Sequence, residues 1–172
     1  MTEYYTQKLE EGLKYQDFIC DEFRKMNPAR IIMPYCSRAY QYQHGESASG
    51  YEIKYDGRMA STGNIWIEVA EKSNAYVRNW TDSGIMRKDN SVYYLIGDYK
   101  KAYIFSKHQL QHLLARSEEE LAKCGIKKKR IPTSIGYVIP CDYIEQTDEG
   151  RFYCLELLQF EGCERHDQTT SN

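Results

Sequence analysis

GYEIKYDGRMASTGNIWIEVAEK, running from Gly50 to Lys72, has the pattern of two strands joined by a polar loop. Two runs within it, Tyr51 to Asp56 and Ile65 to Glu71, alternate polar and apolar residues. Both are rich in Ile, Val, Tyr and Trp, as a pleated, half-buried surface requires. Consecutive strands joined by a polar loop most often pair antiparallel, so a hairpin is predicted around Gly57 to Asn64. On the first run Glu52, Lys54 and Asp56 share a face opposite Tyr51, Ile53 and Tyr55. On the second, Trp66, Glu68, Ala70 and Lys72 share a face opposite Ile65, Ile67 and Val69. A register with Asp56 opposite Glu68 also sets Lys54 opposite Ala70, with opposed Cβ atoms about 5 Å apart.

Two carboxylates that close repel each other unless a cation lies between them. Mg²⁺, which takes a few carboxylates and fills its shell with water and phosphate oxygens, suits that place. The order and spacing of Asp56 and Glu68, with the Thr62-Gly-Asn-x-x-x-Glu68 phrase, resemble the PD-(D/E)XK nuclease superfamily over residues 8–140. The resemblance implies a restriction-endonuclease-like α/β sandwich, a mixed central sheet flanked by helices. It implies a DNA substrate and Mg²⁺ or Mn²⁺ held by Asp56, Glu68 and the backbone carbonyl of Val69. Glu46, in the Gly-Glu phrase before the first acidic strand, is a third candidate ligand. The family's lysine slot holds Ala70 here; Lys54 from the neighbouring strand is the expected replacement and Lys72 the second candidate. The Gly12-Leu-Lys-Tyr-Gln16 phrase resembles the family's opening helix, which makes Gln16, with Glu11 and Asp17 nearby, a supporting group. Glu71, next to the acidic run, is another.

The bulk properties bound this reading. A chain of 172 residues is predicted to form one domain over 1–161, with a frayed polar tail over 162–172. Its formal net charge of −2 provides no global basic field, so any nucleic-acid contact has to be local. The six cysteines include no C-x-x-C pair, which points to reduced thiols and a cytoplasmic setting. No apolar run approaches the roughly 20 residues that cross a bilayer, so no membrane association is expected. Oligomeric state is left open, a homodimer included.

Along the chain, residues 5–26 are predicted to be a helix with Leu9, Leu13, Phe18, Ile19, Phe23 and Met26 as its apolar stripe, stopped by Asn27-Pro28. Residues 30–43 read as a strand broken by Pro34. Val92 to Ile96 and Ala102 to Phe105 read as a hairpin around Gly97-Asp98-Tyr99. Ser106 to Gln109 and Ser117 to Glu120 both have capping-box spacing. His108 and His112 stand four apart but off the leucine stripe, the pattern of a solvated face. Lys127, Lys128, Lys129 and Arg130 form a basic run for a DNA backbone, or a solvated loop. Residues 133–140 read as a core strand, and 152–160 as an edge strand or short helix.

Two other readings stay open for the acidic cluster. A nuclease-like module that binds DNA or a protein without cutting explains Ala70 directly. A cross-strand charge ladder without any ligand is the other, and exposed ladders of that kind contribute little stability.

Overall fold

The computed structural model describes residues 3–26 and 32–147. The expected segment 152–160 and the tail from Gly162 lie outside the described residues. The architecture is mixed α/β, with two sheets and six α-helices among the described residues.

Helix α1 (Glu3–Met26) lies on a three-stranded sheet of order β1-β4-β5, made by Tyr51–Tyr55, Tyr93–Gly97 and Ala102–Ser106. The buried face of α1 is Tyr15, Ile19 and Phe23 at i, i+4, i+8, with Gln16 and Cys20 beside them. This stripe is rotated from the expected one, and Leu13 points outward at 44% exposure. The helix meets Ile53, Leu95, Ala102 and Ile104. β1 runs parallel to β4, and β4 pairs antiparallel with β5 as the expected hairpin. Asp98 closes that hairpin by accepting the Lys100 and Lys101 N–H groups.

A four-stranded antiparallel sheet of order β3-β2-β7-β6 is built from Thr81–Asp82, Asn64–Glu71, Ser134–Pro140 and Lys127–Arg130. One of its faces, with Ile65, Ile67, Tyr137 and Ile139, packs in the main core with Tyr94, Ile96, Tyr103 and Phe105 from the first sheet. Helices α4 (Lys107–Leu114), α5 (Glu118–Lys123) and α6 (Cys141–Gln146) close this core with Leu110, Leu113, Leu121 and Ile144. Fully burying an Ile or Leu side chain contributes roughly 1.5–3 kcal/mol, so these layers hold the two sheets together.

Three expectations are corrected. β1 and β2 share no ladder: β1 takes β4 as partner and β2 takes β7 and β3. The intervening residues include a short helix, α3 (Met59–Thr62), ended by Gly63 in the left-handed region, which turns the chain out of one sheet and into the other. Residues 38–44 are helical (α2, Arg38–His44) rather than extended. Ser37 caps α2 by accepting the Tyr40 N–H, Gly45 ends it, and the Tyr40 ring packs on His44 one turn later, 4.1 Å between centroids. Finally, the Ser117–Glu120 capping box forms, but the Ser106 side chain makes no capping bond.

A 3₁₀ turn, Gly84–Met86, packs against β2. Gly84 has φ +49, and a Cβ there would collide with the Glu68 carbonyl oxygen. Gly84→Ala is therefore expected to destabilise the protein by about 1–3 kcal/mol in urea denaturation. A midpoint equal to wild type contradicts this packing.

Candidate functional site

Asp56 sits where the first sheet ends and the path to the second begins. Its N–H extends the β1–β4 ladder by donating to the Gly97 carbonyl, 2.8 Å. Its carboxylate accepts the Arg58 N–H at 3.1 Å through Oδ1 and the Trp66 N–H at 3.0 Å through Oδ2. One aspartate thus joins the C-terminal end of β1 to the N-terminal half of β2, with the strands splayed apart.

Glu68 is placed by β2 on the face it shares with Trp66. Both carboxylate oxygens accept serine hydroxyls, Ser83 on one side and Ser134 on the other, each at 2.5 Å. Immediately after it the ladder has a bulge, with Val69 as the extra residue: Glu68 opposes Gly136, Ala70 opposes Ile135 and Glu71 opposes Ser134. The bulge inverts the alternation, so Glu71, which is exposed, follows Glu68 onto its face while Ala70 turns to the other. The Val69 carbonyl accepts the Ser83 N–H at 3.1 Å. Lys72 leaves the acidic face altogether. Its ammonium donates to the Ala75 and Val77 carbonyls and stands 4.9 Å from the Trp80 ring centroid.

Although the strands do not pair, Asp56, Glu68 and Lys54 line one cleft of about 630 Å³. Arg58 and Lys129 are its other charged residues, and Trp66, Tyr94 and Ile96 are among its apolar walls. Lys54 is not opposite Ala70, as the hairpin would have it, but beside Ile96 of β4 in parallel register. Its ammonium meets Glu46 at 2.5 Å and Glu52 at 3.2 Å. Burial pushes the pKa of this lysine down, but Glu46 and then Glu52 outweigh it and hold the pKa well above the usual lysine range. Lys54 is therefore a fixed cation, suited to stabilising negative charge and unsuited to accepting a proton. The buried Tyr94 phenol is pushed well above its ordinary range by burial and then by Glu52, so it remains a donor.

The ion pairs continue inward. Glu52 is 1% exposed and also faces Lys107 at 3.9 Å; Lys107 binds Asp89 at 2.8 Å, and Asp89 binds Arg87 at 2.7 Å. Signs alternate along the whole file, Glu46, Lys54, Glu52, Lys107, Asp89, Arg87. This network, buried at its centre and not visible as a motif because its members come from four segments of the chain, sets the position and charge of Lys54.

The other candidates are dispersed. Glu46 is committed to Lys54 and to the Ile53 N–H at 3.0 Å. Glu11 pairs with Lys8 on α1, and Gln16 is buried. Asp17 is exposed, as are His108 and His112. The basic run is an edge strand, β6, rather than a loop, and all four side chains are exposed. Lys129 opposes Gly136, next to Glu68 in the ladder, and reaches the cleft, whereas Arg130 stacks 4.9 Å from the Trp80 centroid. No group of three or more His, Cys, Asp or Glu side chains converges as a cation-binding set among the described residues. The four described cysteines, Cys20, Cys36, Cys124 and Cys141, are free thiols. No described helix is long and apolar enough to cross a membrane. Comparison with protein-family models, with curated proteins and with solved structures returns no match.

Two outcomes test the network. Lys107→Met removes the buried cation shared by Asp89 and Glu52, leaving Asp89 with Arg87 and Glu52 with Lys54, and is expected to cost about 3–5 kcal/mol of stability in denaturant titration; a loss below about 1 kcal/mol would show that the file is not a coupled network. The second outcome is a pH dependence. Burial would raise the Asp89 carboxyl, but bonds from Lys107, Arg87 and the Ser91 N–H overcome it and bring the pKa from 3.8 to about 2. A depressed native pKa stabilises the fold above the unfolded value and is lost on acidification. About 2 kcal/mol should therefore disappear as pH falls from 3.8 towards about 2, and Asp89→Asn should flatten that segment of the stability curve.

Proposed function

We propose that the protein is a metal-dependent nuclease that hydrolyses phosphodiester bonds in DNA, on a restriction-endonuclease-like variant of the α/β arrangement. The observation that carries this reading is the shared cleft: two acids, Asp56 and Glu68, with three cations, Lys54, Arg58 and Lys129. A polyanionic backbone finds positive partners there, and a cation finds carboxylates between them.

The donor set suits Mg²⁺ or Mn²⁺, which take one or two carboxylates from protein and the rest of their shell from water and phosphate. An ionised carboxylate has about four acceptor sites. Asp56 and Glu68 each use two on protein donors and keep capacity towards the cleft. When bound, the metal acidifies a water and offsets charge on the scissile phosphate. The chain's own contribution is preorganisation. Ser83 and Ser134 fix the Glu68 carboxylate; two backbone N–H groups fix Asp56; Glu46 and Glu52 aim a permanently charged Lys54. An ammonium so held stabilises developing phosphate charge without rearranging. Lys129 and Arg58 hold the flanking backbone.

A second reading, a DNA- or protein-binding module without cleavage, is favoured by one observation. All carboxylate oxygens of Asp56 and Glu68 already accept protein donors, and Ala70 faces away.

Nicking of supercoiled plasmid in Mg²⁺ or Mn²⁺ separates the two. Glu68→Gln preserves the fold, because a carboxamide accepts from one serine and donates to the other, yet it removes the charge. It is expected to lose activity by at least about 10²-fold, as is Lys54→Met, while Lys72→Met stays at wild-type level. Plasmid bound but never cut by the wild type, or full activity in Glu68→Gln, would overturn the nuclease reading.

A further inference from the structure

Residues Lys54 to Arg58 form a ridge with a second cleft, of about 460 Å³, on its other side. The far wall of this cleft is the first half of α1, and two features there have no structural explanation. Gly12 lies in the interior of a 24-residue helix, where glycine is unfavourable relative to alanine. Nothing requires it: its φ is ordinary, and an added Cβ would meet no atom within 4 Å. What glycine does at this position is leave the cleft open. One turn on, at i+4, Gln16 is 8% exposed and its Nε2 has no hydrogen-bond partner. An unpaired buried donor is costly, and it needs an acceptor that the described residues do not supply.

We infer that this cleft holds an unpaired nucleobase of a single nucleic-acid strand whose backbone crosses the Lys54–Arg58 ridge; the inference rests on the nuclease reading and specifies its substrate. Several observations favour a base over a phosphate. Two of the cations lining the cleft are already paired, Lys8 with Glu11 at 2.7 Å and Lys54 with Glu46 at 2.5 Å, so neither awaits a dianion on the cleft floor, and Arg58 is left for the ridge. Leu9, Leu13 and Tyr55 offer apolar and aromatic surface, and Leu13 is 44% exposed. A planar ring covers such walls, and its carbonyl or ring nitrogen meets the Gln16 amide once that side chain, whose Nε2 is shut off from solvent, turns towards the cleft. Arg58 on the ridge is placed for the adjoining phosphate. Because a stacked, paired base cannot enter such a cleft, the preferred substrate is single-stranded, or has an unpaired nucleotide beside the cut.

The test uses a fluorescein-labelled eight-nucleotide DNA strand, bound in EDTA so that no cleavage intervenes, and the same strand with abasic sugars at its centre. Gly12→Leu fills the cleft with a better helix former, so the fold is retained. It is expected to weaken binding of the intact strand about tenfold or more, with Gln16→Met giving a smaller loss and wild type binding the abasic strand as weakly as Gly12→Leu binds the intact one. Equal affinities of wild type and Gly12→Leu, or no preference for the intact strand, would overturn the inference. If wild type cuts plasmid while Gly12→Leu binds normally, the base site falls and the nuclease reading stands. If the Gly12→Leu loss appears in a protein that never cuts DNA, the base site stands and the nuclease reading falls.

Discussion

The Asp56 carboxylate accepting the Trp66 N–H is the contact on which the arrangement depends. It is the polar link between a strand that belongs to one sheet and a strand that belongs to the other. Without it, β1 and β2 would have only the α3 turn and the apolar core to set their spacing. With it, they diverge from a fixed point, and the divergence leaves a cleft instead of a ladder. Glu68 is then held at the correct depth by serines from the 3₁₀ region and from β7, so that three separate segments meet at one carboxylate.

The second constraint is electrostatic. A file of six alternating charges runs from the cleft into the interior, and its central members, Glu52, Lys107 and Asp89, are almost entirely shielded from water. Such a file is a poor way to gain stability, because desolvating each charge offsets most of the attraction. What it does achieve is a lysine held in place by Glu46 and Glu52 and kept charged by them. The same design explains why Glu46, an expected metal ligand, is better described as an anchor for Lys54.

Much of this was legible in the sequence. Period-two alternation identified β1 and β2, two apolar runs about Gly97-Asp98 identified the β4–β5 hairpin, residues 133–140 read as the strand that is β7, and the common face of Glu52, Lys54 and Asp56 followed from parity alone. The partnering of β1 was not legible: its parallel contact with β4 spans some forty residues, and nothing local announces it. Parity also failed after Glu68, because one extra residue at Val69 moved Ala70 and Lys72 to the far side, and a bulge without glycine leaves no compositional trace. The 38–44 helix was hidden by a Tyr-Gln alternation that mimics a strand, although Ser37 and Gly45 were present as its boundaries. The charged file was invisible because its residues come from four segments. Gly12 and Gln16 were visible as a phrase, but only the empty space around Gly12 and the unpartnered amide of Gln16 give them a role of their own.

We propose that Asp56 and Glu68 take one cation between them in the cleft they share, although their strands are unpaired. Paramagnetic broadening of backbone amide signals during a Mn²⁺ titration reads this out residue by residue. The account requires broadening that begins at residues 56–58 and 66–69 together and is lost in Glu68→Gln. Broadening confined to one of the two segments, spread evenly over surface acids, or unchanged in Glu68→Gln would contradict it.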